Sequence, residues 1–216
     1  MNWKDLGRAV SLYNQAGDTY PKKPLNSYER WYTEAICNPT PQAIKDVLTR
    51  WGRMRMSFNI LSIQEGINST RNILISLKPF DFELAPLDQL RNKIISAFDA
   101  ILKGTKSKVA TSKALHVLAP NVFVMWDNTI KAAYGCGNLS ATWGEIYFVF
   151  LVRVQRRLQK ALESYSMAHK LESVKVAADY LKQNLYTKGQ KSLSKIVDEY
   201  NFMKYTKGKD ELWFQN

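Results

Sequence analysis

The chain is expected to fold as an all-α domain. Three observations predict it. Apolar residues recur at three- and four-residue spacing along most of the 216 positions, helix-starting residues such as Thr40-Pro41 and Thr142 precede those runs, and no segment alternates with period two. The length suits one domain over 1–216 that buries its own core. An apolar content of 45%, with 6 Trp, 11 Tyr and 9 Phe, excludes a disordered chain.

Thr40 and Pro41 mark a cap and first turn, and Ile44, Val47, Leu48 and Trp51 follow at helical spacing to an end near Gly52. A second helix, opened by Ser69, carries Ile73, Leu74 and Leu77 and stops at Pro79. Beyond Pro86, Leu90, Ile94, Ile95, Phe98, Ile101 and Leu102 describe one amphipathic helix reaching Gly104. The next runs from Ser107 to Leu118, ended by Pro120, so only a tight hairpin fits between Leu102 and Ser107. Asn121 to Trp126 is a short apolar link to Asp127, which starts a helix that Gly135-Cys136-Gly137 stops. Thr142 and Glu145 form a capping box for the most apolar helix, Ile146 to Leu162, expected at the centre. Two runs complete eight to ten helices: Leu171, Val174, Ala178, Leu181 and Leu185, then Leu193, Ile196, Val197 and Tyr200. Gly17 to Pro24 and the tail after Lys207 are expected to be the least ordered parts.

Lys and Arg total 31 against 19 Asp and Glu, and a net charge of +12 attracts polyanions, nucleic acid first among them. Arg50, Arg53 and Arg55 form one basic cluster; Lys188, Lys191, Lys195, Lys204, Lys207 and Lys209 form another. Cys37 and Cys136 stand far apart, and with only His116 and His169 beside them no zinc-ligand spacing exists, so no metal or other cofactor is expected. Met1 to Tyr20 lacks the apolar core of a signal peptide, and the run Ile146 to Val152 is too short to span a bilayer. The expectation is a cytoplasmic, nucleoid-associated monomer with reduced cysteines and no membrane partner.

Between two of these helices stands Leu102-Lys103-Gly104-Thr105-Lys106-Ser107-Lys108-Val109-Ala110. The placing of Leu102, Gly104, Lys108 and Ala110 resembles the hairpin of the helix-hairpin-helix DNA glycosylase superfamily. Lys106 occupies the place where a second Gly is usual, and Lys103 the place where Pro is common. The stretch Ser112 to His116, then Pro120, then Trp126-Asp127 looks like the atypical archaeal 8-oxoguanine-type members and uncharacterised relatives. The likeness covers about 87–135. It implies a compact two-lobed helical fold with an active-site cleft. It also implies binding to double-stranded DNA and excision of a damaged or modified base to leave an abasic site, with or without a lyase step, in repair or in defence against phage.

Each group has a chemical reason to be there. A hairpin aims backbone N–H groups and a helix N-terminus at one phosphate, so Lys103, Gly104, Thr105, Lys106 and Ser107 would grip the backbone, with Lys113, Arg53 and Arg55 adding charge. Cleaving an N-glycosidic bond builds positive charge on the sugar, which a fixed carboxylate stabilises while activating water. Asp127, nineteen residues after Lys108 and at a helix start, is the candidate, and it also reads as a plain N-cap. A lysine of lowered pKa could attack instead and form a Schiff base. Lys113 lies roughly 140° around the helix from Lys108, so only one of them can face Asp127, and the place after Gly104 selects Lys108. Trp126, which adjoins Asp127, and His116 are assigned to the pocket for a flipped base, although a histidine on that face also serves as simple packing. Tyr28, Trp31, Trp51 and Phe58 are further aromatics, assigned chiefly to the core. The base is an oxidised purine by the resemblance, or a hypermodified phage pyrimidine. The alternatives are a non-catalytic helical DNA-binding protein using the hairpin as a phosphate clamp, and an RNA-processing or tRNA-binding accessory protein.

Overall fold

The computed structural model describes residues 1–16, 32–52, 54–185 and 191–208, and among them every regular element is helical. Helix α1 spans Trp3–Ala16, a helical segment follows at 32–37, and α2 spans Pro41–Asp46 before opening into a π turn at Val47–Trp51. Then come α3 (Ile60–Leu77), α4 (Leu87–Thr105), α5 (Lys108–Leu118), α6 (Asn128–Ala133), α7 (Trp143–His169), α8 (Val174–Leu185) and α9 (Leu193–Asn201), the last running into a π turn at Phe202–Thr206.

The starts follow local chemistry. Thr40 accepts the Ala43 N–H with Pro41 in the first turn, and Thr142 and Glu145 close the expected capping box on α7. Helix α3 begins at Ile60, well before Ser69, because Asn59 caps it by accepting from the Leu61 and Ser62 N–H groups. Ser69 and Thr70 sit inside that helix, and both hydroxyls donate back to the Gly66 carbonyl. Helix α1 was hidden by its polar setting, yet Leu6, Ala9 and Val10 form a buried stripe at helical spacing.

Helices α3, α4 and α7 build the centre, with α4 packed between the other two, α8 on α7, and α1 against α7 and α9. At the crossing of α3 and α4 the backbones nearly touch. A Cβ on Gly66 would stand 3.2 Å from the Ala100 carbonyl oxygen, and one on Gly104 would stand 2.4 Å from that of Ser62. One apolar cluster runs from Leu6 to Met203, and at its heart Tyr147 stacks on Phe98, Phe123 and Phe150 while Trp126 meets Phe98 and Tyr147 edge-on. Among the described residues no helix is long and apolar enough to cross a membrane.

Candidate nucleic-acid and catalytic site

Two residues, Lys106 and Ser107, turn α4 into α5. Lys106 takes the left-handed conformation with φ 54° and donates its N–H to the Leu102 carbonyl at 2.7 Å, which closes the C-terminus of α4. Ser107 caps α5 by accepting the Ala110 N–H. Thus Lys106 adopts the left-handed backbone that glycine favours, and the side chains of Lys103 and Lys106 project from the hairpin exposed.

Gly104 is not the turn. It lies in the last turn of α4, buried against α3, where its missing side chain serves helix contact rather than phosphate approach. Thr105 is also buried, its hydroxyl shared with Thr111 at 2.7 Å and directed at the Ser107 carbonyl, so it ties the two arms of the hairpin together. Arg55 is exposed beyond the π turn that follows α2, whereas Arg53 lies outside the described residues, as do Tyr28 and Trp31.

Trp126 and His116, the two residues expected at a base pocket, are both buried among packing partners. Trp126 is 1% exposed; its indole N–H donates to the Lys108 carbonyl at 3.0 Å, and its rings are packed by Phe98, Tyr147 and Phe150. His116 is wholly buried, with Nδ1 donating to the Phe123 carbonyl at 2.6 Å and Nε2 accepting from the Tyr32 hydroxyl. Burial drives its pKa down to about 3, so the ring is neutral. Both residues brace the apolar link from α5 to α6 and so fix where Asp127 emerges.

Asp127 caps α6. One carboxylate oxygen accepts the Ile130 N–H at 2.7 Å and the other accepts the Thr206 hydroxyl at 2.6 Å, which joins α6 to the π turn after α9. A carboxylate offers about four acceptor positions, so these two bonds orient it and leave capacity. The two candidate lysines have separate environments. Lys108 lays its Nζ over the Trp143 ring, 3.9 Å from the centroid. Lys113 reaches the Gly52 carbonyl at 3.3 Å, and burial brings its ammonium below the ordinary lysine range against the opposing pull of Asp198 and Asp127. Lys113 is therefore a largely desolvated ammonium within electrostatic reach of Asp127, and its proton is held less tightly than that of an exposed lysine.

Lys113 also adjoins a buried ionic cluster that periodicity alone did not reveal. Lys195 is 3% exposed and pairs with Asp198 at 3.1 Å and Glu199 at 3.5 Å, while Lys191 reaches Glu199 at 2.9 Å. Burial alone would lower Lys195, but Tyr13, Asp198 and Glu199 hold it well above the lysine range. The apolar face expected of α9 is present, but the residues between its positions are buried too. The cue in the sequence was Lys195, Asp198 and Glu199 at i, i+3 and i+4 on one short helix. Comparison of the chain with family models, curated proteins and solved structures returned no match.

Proposed function

We propose that the chain is a DNA glycosylase that takes a damaged or modified base out of the duplex and cleaves its N-glycosidic bond in a cleft between two lobes. The observation that carries this reading is Lys113, a desolvated lysine within electrostatic reach of Asp127, together with Asp127 itself, a carboxylate oriented by two hydrogen bonds one helix beyond a tight basic hairpin. The hairpin holds the phosphate, Asp127 stabilises charge developing at the sugar, and Lys113 rather than Lys108 supplies the nucleophile if a lyase step follows. Oxidised purines and hypermodified pyrimidines are the two base classes to test. The second reading, a DNA-binding protein without catalysis, draws on the same bonds, since an Asp engaged by Ile130 and Thr206 also suffices as a structural cap.

Duplexes carrying different modified bases, incubated with the protein and assayed for abasic sites, separate the two. Asp127→Asn keeps a cap acceptor and is expected to abolish release while duplex affinity falls by less than about tenfold. Borohydride should trap the wild type and Lys108→Gln on DNA but not Lys113→Gln. Binding without release from any duplex supports the second reading, and trapping lost only in Lys108→Gln restores Lys108 as the nucleophile.

A further inference from the structure

Three elements meet beside the hairpin: the first turn of α5 with Lys108, α6 with Lys131, and the first residue of α7, Trp143. The Nζ of Lys108 and that of Lys131 lie 3.9 and 4.8 Å from the centroid of the same indole ring. Trp143 is 36% exposed, whereas Lys131 is only 7% exposed. Both ammonium groups are donors with nothing to offer each other, and burial first, then the Lys108 charge, hold the Lys131 ammonium below its usual range.

Among the described residues no carboxylate neutralises this arrangement, and neither ammonium has one within ion-pairing distance. The nearby acids are committed elsewhere: Asp99 accepts the Gly144 N–H at 3.1 Å, and Glu145 serves Thr142 and Arg91. Cys136, the attractive group at Lys131, is a buried thiol pushed up by desolvation and therefore neutral. Two like charges over one ring resist being held together unless an anion completes them. The indole beneath stabilises either ammonium but leaves their mutual repulsion in place.

We infer that Lys108, Lys131 and Trp143 form a phosphate-binding site, with the two ammonium groups as ligands and the indole as its floor. It lies beside the exposed hairpin lysines Lys103 and Lys106, so a backbone phosphodiester of bound DNA is one source of the anion, and a free phosphate or nucleotide is the other. The inference shares DNA binding with the proposed function but needs no base release. An inactive protein with an intact site would therefore count against the glycosylase alone.

Thermal melting and binding test it on the full chain. Lys131→Met removes the repelled ammonium, so in chloride buffer its Tm should rise by roughly 2–4 °C. Phosphate at matched ionic strength should raise the wild-type Tm and leave that of Lys131→Met unchanged, while Lys131→Arg, which keeps the cation, should retain the response. Unmodified duplex, a mononucleotide and inorganic phosphate are then titrated separately. A loss of about tenfold in duplex affinity on Lys131→Met, with little binding of the small anions, assigns the site to backbone phosphate. A loss confined to mononucleotide or inorganic phosphate assigns it to a free phosphate. The inference is overturned if no phosphate source distinguishes wild type from Lys131→Met and Lys108→Met, or if Lys131→Met melts lower and responds to phosphate like the wild type.

Discussion

His116 is held between an acceptor, the Phe123 carbonyl, and a donor, the Tyr32 hydroxyl, and that fixes both its tautomer and its charge. Desolvation keeps the Tyr32 proton on its oxygen by raising that pKa far above the usual phenol range, so the donor persists at any ordinary pH. The consequence is a pH dependence of known sign. The folded histidine titrates at about 3 and the unfolded one at 6.5. Below the unfolded value the denatured chain binds a proton that the native state refuses, and stability falls by about 1.4 kcal/mol per pH unit. Lowering the pH from 6.5 to 5 should thus cost about 1.6 kcal/mol through His116 alone, in addition to other titrations. His116→Gln can still donate to Phe123 and accept from Tyr32, so the urea-denaturation difference between wild type and variant isolates the effect. Parallel pH profiles would show that the ring is protonated in the fold. Sequence placed His116 on a helix face, but which of packing and base contact it served depended on Tyr32, which is 84 positions away along the chain.

At the scale of elements, the hairpin was legible and the role of its glycine was not. A Leu-spacer-Gly pattern ahead of a basic run suggests a turn at the glycine, whereas the turn falls at Lys106, and Gly104 belongs to the contact of α4 with α3. The partner in that contact was concealed as well, because Gly66, Ser69 and Thr70 look like helix breakers or starters until the packing against Ala100 and Ile101 is seen. Local propensity yielded to tertiary packing there. The same geometry predicts a large effect for a small substitution. Gly104→Ala would place a methyl group 2.4 Å from the Ser62 oxygen and 3.2 Å from the Ile63 Cα, both of them backbone atoms that no rotamer change can move. Alanine normally favours a helix over glycine by up to about 1 kcal/mol, so an exposed glycine here would gain stability. Instead, overpacking should destabilise the fold by roughly 1–3 kcal/mol, read as a lower urea midpoint. A midpoint that rises would place Gly104 in open surroundings and return it to the hairpin turn.

For the molecule as a whole, the question is where the net +12 resides. The C-terminal lysines looked from sequence like one solvated basic face, yet Lys191 and Lys195 turn inward to Glu199 and Asp198, and Lys188 and Lys209 lie outside the described residues. Charges buried in pairs release no counterions from DNA, so those two should add nothing to its salt dependence. The exposed hairpin lysines Lys103 and Lys106 should contribute fully. If the protein neutralises about five phosphates, log K for duplex binding should fall with log salt at a slope near −4.5. Replacing Lys103 and Lys106 together by Gln should reduce that slope by roughly one to two units and weaken binding alike on every sequence, because phosphate contacts position a protein without reading bases. Fluorescence anisotropy with two unrelated duplexes across a salt series measures both quantities. A slope insensitive to the double substitution would move the DNA surface away from the hairpin, and an affinity insensitive to salt would mean that the positive charge serves solubility alone, taking the proposed glycosylase function with it.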